Sequence, residues 1–128
     1  MPVAAGDSLS AAERAELEET IRAAEHASRV EFSVFVGASG SDPHAYATRL
    51  HNSLVAPARS ILIMVDPRAR LLDIVTGGWV RRTLDDEQTQ EVVALMQADF
   101  AAGDLLGGLR RGIEELAERA QATPSSSS

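Results

Sequence analysis

The stretch Ser60 to Gly78, SILIMVDPRARLLDIVTGG, limits the possible folds of this chain more than any other. Ser60–Val65 is a nearly unbroken apolar run, the pattern of a strand covered on both faces. Asp66-Pro67 then starts a turn, because proline presets φ at the second turn position and aspartate bonds the backbone ahead of it. Leu71–Thr76 runs back as the antiparallel partner, and Gly77-Gly78 closes the unit by letting the backbone turn sharply. Such a hairpin needs covering layers, and the flanking sequence supplies helices.

Ser10 with Glu13 forms a capping box, and Leu17, Ile21 and Ala24 recur behind it at helical spacing. Val30–Val36 is rich in β-branched and aromatic residues and reads as a strand, although it alternates poorly. Asp42-Pro43 starts a second helix, with Tyr46, Leu50 and Leu54 on one face and Pro57 ending it. Residues 30–65 are therefore a βαβ unit, for which a right-handed crossover is the rule. Asp85 with Gln88 opens a third helix with a stripe of Val92, Met96 and Phe100. Gly103 fits the left-handed residue past its end, and Asp104 caps a fourth helix whose Leu106, Leu109, Ile113, Leu116 and Ala120 step by three and four. Gly108 and Gly112 lie on a neighbouring face of that helix and allow close backbone approach.

The expected fold class is α/β: a three-layer α/β/α sandwich with a mixed sheet of three to four strands and helices on both faces. A fourth short strand is sought near Trp79–Thr83. A chain of 128 residues fits one domain, read as 9–122 between a flexible N-terminus (1–8) and a disordered tail (123–128).

Composition narrows function mostly by exclusion. No cysteine is present, so disulfides, thiolate metal sites and cysteine nucleophiles are absent. All twelve basic residues are arginine, which excludes a Walker lysine, and nineteen acidic residues bring the net charge to −7. Such a surface repels nucleic-acid backbones and anionic lipid, so neither nucleic-acid binding nor membrane insertion is expected. No apolar run reaches the roughly 20 residues of a membrane span, and the N-terminal residues lack a secretion-signal pattern. The expected location is cytoplasmic.

The candidate metal ligands are Asp85, Asp86 and Asp104. Were the two helix starts to converge, their carboxylates could hold Ca²⁺ or Mg²⁺. The competing reading makes Asp85 and Asp104 helix caps and Asp86 a partner of the helix dipole, with no cofactor at all. Gly77 and Gly78 follow a strand, but no phosphate-binding glycine motif surrounds them, and a structural turn is the better reading. His44 and His51 are seven residues apart on one helix, His26 lies on another, and surface or half-buried roles are expected for all three. The pairs Arg81-Arg82 and Arg110-Arg111 read as solvated faces.

The succession of an apolar strand (Ile61–Val65), a short turn, and a second strand ending in glycines (Leu71–Gly78) resembles the TPM domain. So do the helix-opening Asp85, the aromatic Phe100, Gly103-Asp104 and Gly107-Gly108-Leu109 that follow. This is the family of thylakoid-lumen phosphatase-like and photosystem-repair proteins, and the chain looks closest to a small actinobacterial branch of unknown function. The resemblance spans about residues 9–121 and is most specific at FAAGDLLGGLRRG, residues 100–112; Glu25 and the strand Glu31–Val36 fit it more loosely. It implies an α/β/α sandwich and, for some members, divalent-metal binding and acid-phosphatase activity, with the family's aspartates falling on Asp85 and Asp104. Asp86 or Glu25 would then be helpers. The chain departs from the pattern at Thr76, Val80 and Leu105.

Two functions follow. The first is a non-enzymatic, regulatory or binding module with an unknown protein partner, which requires an exposed apolar patch or an uncovered side of the sheet. The alternative is a metal-dependent phosphatase acting on phosphomonoesters, with the carboxylates holding the metal.

Overall fold

The hairpin forms as its residue pattern dictates and becomes the centre of a mixed sheet. A computed structural model of the chain describes residues 3–4 and 9–121. Its elements are β1 (Val3–Ala4), α1 (Ala11–Ser28), β2 (Glu31–Val36), α2 (Pro43–Asn52), β3 (Ser60–Asp66), β4 (Leu71–Thr76), α3 (Asp86–Ala101) and α4 (Leu105–Gln121). Short 3₁₀ turns sit at Pro57–Arg59 and Val80–Arg82. The sheet order is β1-β2-β3-β4, with β1 and β2 parallel, β2 and β3 parallel, and β3 and β4 antiparallel.

Every residue of β3 is buried, as its apolar run requires. One sheet face, built from Phe32, Val34, Ile61 and Ile63, packs against Leu17 and Ile21 of α1, Met96 of α3 and Ile113 of α4. The other carries Leu62 and Met64 and, among the described residues, packs against α2 through Ala47 and the half-buried Tyr46 and Leu50. The result is the expected α/β/α sandwich, thick on one side and thin on the other. This asymmetry explains why β2 alternates poorly in sequence. Phe32, Val34 and Val36 face the thick layer and are buried, whereas Phe35 reaches the thin layer and stays half-exposed against Tyr46.

Several expectations are corrected. The fourth strand is Val3–Ala4, within the segment read as flexible, and not Trp79–Thr83. At the latter, Thr83 and Leu84 donate N–H to the Val80 carbonyl, because Val80 and Leu84 turn inward and are fully buried. The remaining N-terminal positions and the tail (123–128) lie outside the described residues. Helix α2 ends at Asn52, before Leu54, and Pro57 instead opens a 3₁₀ turn. His51, expected at the surface or half-buried, is buried with Nε2 3.0 Å from the Ser60 carbonyl oxygen.

The glycine pair has a different role from the one its sequence suggests. Neither Gly77 nor Gly78 has a positive φ. Gly77 is needed for close approach: a Cβ there would stand 2.1 Å from the Pro57 carbonyl oxygen and 2.3 Å from that of Ala58. In α4, a Cβ at Gly112 would meet Met96 Sδ at 2.2 Å, and one at Gly108 would meet the Phe100 ring at 2.5 Å. These two glycines let α3 and α4 pack closely, as their spacing implied.

Candidate functional site

The capping residues are held by local chemistry. Asp85 accepts the Gln88 N–H at 2.9 Å while the Gln88 side chain accepts the Asp85 N–H at 3.2 Å. Asp104 accepts the Gly107 N–H at 2.8 Å, and a Cβ at Gly107 would overlap that carboxylate at 2.1 Å. Gly103 adopts φ 87° at the exit from α3. Because α3 and α4 are joined by only three residues, Ala102 to Asp104, their N-termini lie at opposite ends of the helix pair. The 16 residues of α3 put roughly 24 Å between Asp85 and Asp104 along the axis.

The convergence needed for a shared metal therefore does not occur. Asp86 stays beside Asp85 in the first turn of α3. Glu25 is engaged elsewhere, accepting the Phe32 N–H at 2.9 Å. Among the described residues, no group of three or more His, Asp or Glu is placed to hold a metal ion. Asp85→Ala is expected to cost about 1 kcal/mol, a Tm drop of about 3–5 °C, by loss of the cap. Millimolar Ca²⁺ or Mg²⁺ should leave the parent melt unchanged. A metal-dependent rise that vanishes in the variant would instead make this carboxylate a ligand.

The basic pairs do not converge either. The Arg81 guanidinium donates to the Thr76 carbonyl, and Arg111 pairs with Asp99 at 3.4 Å. Arg59 lies over the Trp79 ring, 4.3 Å from its centroid. His44 is exposed and pairs with Asp73 at 2.9 Å, a contact that raises the imidazole pKa.

What the tertiary structure adds is a cleft of about 610 Å³ between α3 and the hairpin. Val65, Leu71 and Leu72 line one wall and Phe100, Ala101 and Leu105 the other, with Arg70 and Gln97 also contributing. Its volume falls in the range of ligand pockets, and its walls are mainly apolar. The cleft sits at the carboxyl ends of the parallel strands, where open α/β sheets generally bind ligands.

Asp66 organises this end of the molecule. Its Oδ2 accepts the Ser39 N–H at 2.9 Å and the Ser39 hydroxyl at 2.8 Å, and its Oδ1 accepts the Ala69 N–H at 3.2 Å. These bonds, those from Ser39 first, lower the carboxyl pKa. A depressed folded pKa means that Asp66 contributes stability above its unfolded value, near 3.8, which is lost as pH falls through the lower folded value. Asp66→Asn should lower the Tm at pH 7, and the gap from the parent should close in melts taken progressively below pH 3.8. The turn-forming role of Asp66 was legible, but Ser39, a residue 27 positions away, carried no local signal.

The sequence matches the family described as a domain of unknown function, DUF5130, over residues 4–117. It is 26% identical over 100 residues to the uncharacterized protein Rv2468c of Mycobacterium tuberculosis H37Rv, and equally to the uncharacterized protein MT2543 of strain CDC 1551. That alignment covers 78% of this chain, which spans about 60% of the length of those relatives. Among solved structures, the BA42 protein of Bizionia argentinensis is similar with a TM-score of 0.80 and 23% identity, covering 91% of this chain and 83% of that one. The N-terminal domain of a protein from P. gingivalis has a TM-score of 0.76 at 19% identity, covering 91% of this chain and 78% of that one. These likenesses show a shared fold.

Proposed function

We propose that this chain, which belongs to the DUF5130 family of unknown function, is a non-enzymatic binding module that takes an apolar segment of a protein partner into the cleft between α3 and the β3–β4 hairpin. The observation that carries this reading is the cleft itself, where apolar side chains of β4 and α3 face open space. A binding module needs such a surface, and a phosphatase would need ligands that this fold sets far apart. The TPM-like reading of residues 9–121 belongs to the same proposal and rests on the strand, turn and Gly-Asp succession. No helix is long and apolar enough to cross a membrane among the described residues.

The test uses 1-anilinonaphthalene-8-sulfonate, an amphiphilic dye that fluoresces in apolar sites. The folded parent is expected to enhance its emission. Ala101→Glu, which places a carboxylate at an exposed position of the cleft, should abolish that enhancement with the melt retained. Hydrolysis of p-nitrophenyl phosphate with Ca²⁺ or Mg²⁺, lost in Asp85→Ala and unaccompanied by dye binding, would overturn the reading.

A further inference from the structure

The strand that walls the cleft is also the edge of the sheet. β4 pairs with β3 on one side and, among the described residues, with no strand on the other. The Gly77 N–H bonds the Ser60 carbonyl at 3.0 Å, so the antiparallel alternation makes Val75, Asp73 and Leu71 the residues that bond inward to β3. Leu72, Ile74 and Thr76 therefore direct their N–H and C=O outward. Arg81 occupies the Thr76 carbonyl, closing the far end of this edge. The outward groups of Leu72 and Ile74, nearest the cleft, have no backbone partner among the described residues.

A cation stands where this open edge begins. Arg70 lines the cleft with φ 55°, a backbone conformation that glycine or asparagine adopts at lower cost. Its side chain makes no ion pair among the described residues. The aspartates of the surrounding elements are all committed: Asp66 to Ser39 and Ala69, Asp73 to His44, Asp99 to Arg111 and Asp104 to Gly107. Arg70 is thus a guanidinium at the rim of the apolar cleft without an ion-pair partner among the described residues, in a cleft whose own carboxylate, Asp66, is held by neutral donors.

We infer that the occupant is the extended C-terminal segment of another protein, added to β4 as an antiparallel fifth strand, with its terminal carboxylate at Arg70. This deepens, and rests on, the binding-module reading. Antiparallel addition brings the incoming C-terminus to the start of β4, where Arg70 stands. Leu72 and Ile74 supply four outward hydrogen-bonding groups, the usual source of affinity in strand addition. Side chains at alternate ligand positions then fall on the face that carries Leu72, so the last apolar one enters the cleft. A free carboxylate would give the Arg70 guanidinium the ion pair that no carboxylate among the described residues makes with it.

The probe is an array of heptapeptides carrying Val, Ile, Leu or Phe at the last and third-from-last positions, each as free acid and as C-terminal amide. Free-acid peptides should bind the full chain, and amidation or Arg70→Gln should weaken them about tenfold or more. Leu72→Pro, which removes an outward N–H that the β3 ladder does not use, should also weaken binding. Bound peptide should slow exchange of the Leu72 and Ile74 amides. If Leu72→Pro does not fold, Arg70→Gln and the amide series still decide. Binding indifferent to amidation and to Arg70→Gln, but abolished by Ala101→Glu, would overturn strand addition and leave the cleft reading standing. No binding by any peptide of the array would overturn both.

Discussion

Gly77→Ala is expected to destabilise the protein by about 3 kcal/mol or more, at the upper end of what overpacking costs. The added Cβ would lie 2.1 and 2.3 Å from two backbone carbonyl oxygens, those of Pro57 and Ala58, and backbone cannot rotate aside as a side-chain tip can. Relief requires moving the 3₁₀ turn away from the end of β4. That movement breaks the bonds from Gly77 N–H to Ser60 and from Trp79 N–H to Ala58, both 3.0 Å long. Urea unfolding should show a lower midpoint with an unchanged slope, and near-UV circular dichroism should report loss of the ordered Trp79 environment. Gly78→Ala is the internal control. Its nearest neighbour would be Arg81 Nη2 at 4.0 Å, so a change within about 0.5 kcal/mol is expected. Equal losses at the two positions would refute the close-approach account of Gly77.

The second large effect is at Phe32. This residue is 1% exposed and sits on the central strand β2, facing the thick helical layer. Truncation to alanine should cost about 3–5 kcal/mol, because neighbours on a hydrogen-bonded strand and three packed helices collapse only partly into the void. Against a total stability of about 5–15 kcal/mol, that is enough to threaten folding at 37 °C. Phe35→Ala, three residues along and on the thin face, should cost clearly less, since Phe35 is half-exposed and its main partner is the Tyr46 ring at 5.6 Å. Chemical denaturation of both variants measures the difference. A larger loss at Phe35 would contradict the two-sided asymmetry described for the sandwich.

That asymmetry bears on function. A thick helical layer over the sheet centre leaves β4, at the edge, incompletely covered by α3, and the cleft is the space that remains. Two turns close it. The β3–β4 turn is tied down by Asp66, and the α3–α4 turn by the Asp104 cap and the left-handed Gly103. A site built on anchored turns of this kind loses little entropy when a ligand docks.

The glycines show how far residue type alone can be read. Gly108 and Gly112 were legible as close-approach positions because their helical spacing places them on one stripe. Gly77 looked like a turn residue, since nothing in its neighbours announced the carbonyls of Pro57 and Ala58 that pass beside it. The aspartates teach the same lesson. Asp85 and Asp104 each display a complete local cap, and both caps form. Whether the two helix starts would meet depended on how the helices are joined, and a three-residue connection sends them to opposite ends.

What the sequence by itself determined is therefore everything settled within a few residues. This includes the hairpin with its Asp-Pro turn, the capping boxes at Ser10 and Asp85, the helix start at Asp42-Pro43 and the buried stripes of the helices. These depend on backbone groups satisfied by neighbours three or four positions away and on apolar spacing along one element. Only the tertiary structure decided the short strand Val3–Ala4, the Ser39–Asp66 anchor, the burial of His51 and the cleft beside Arg70. Each of these needs segments far apart in the chain to arrive at one place, and packing of whole elements, not local residue preference, sets where they arrive.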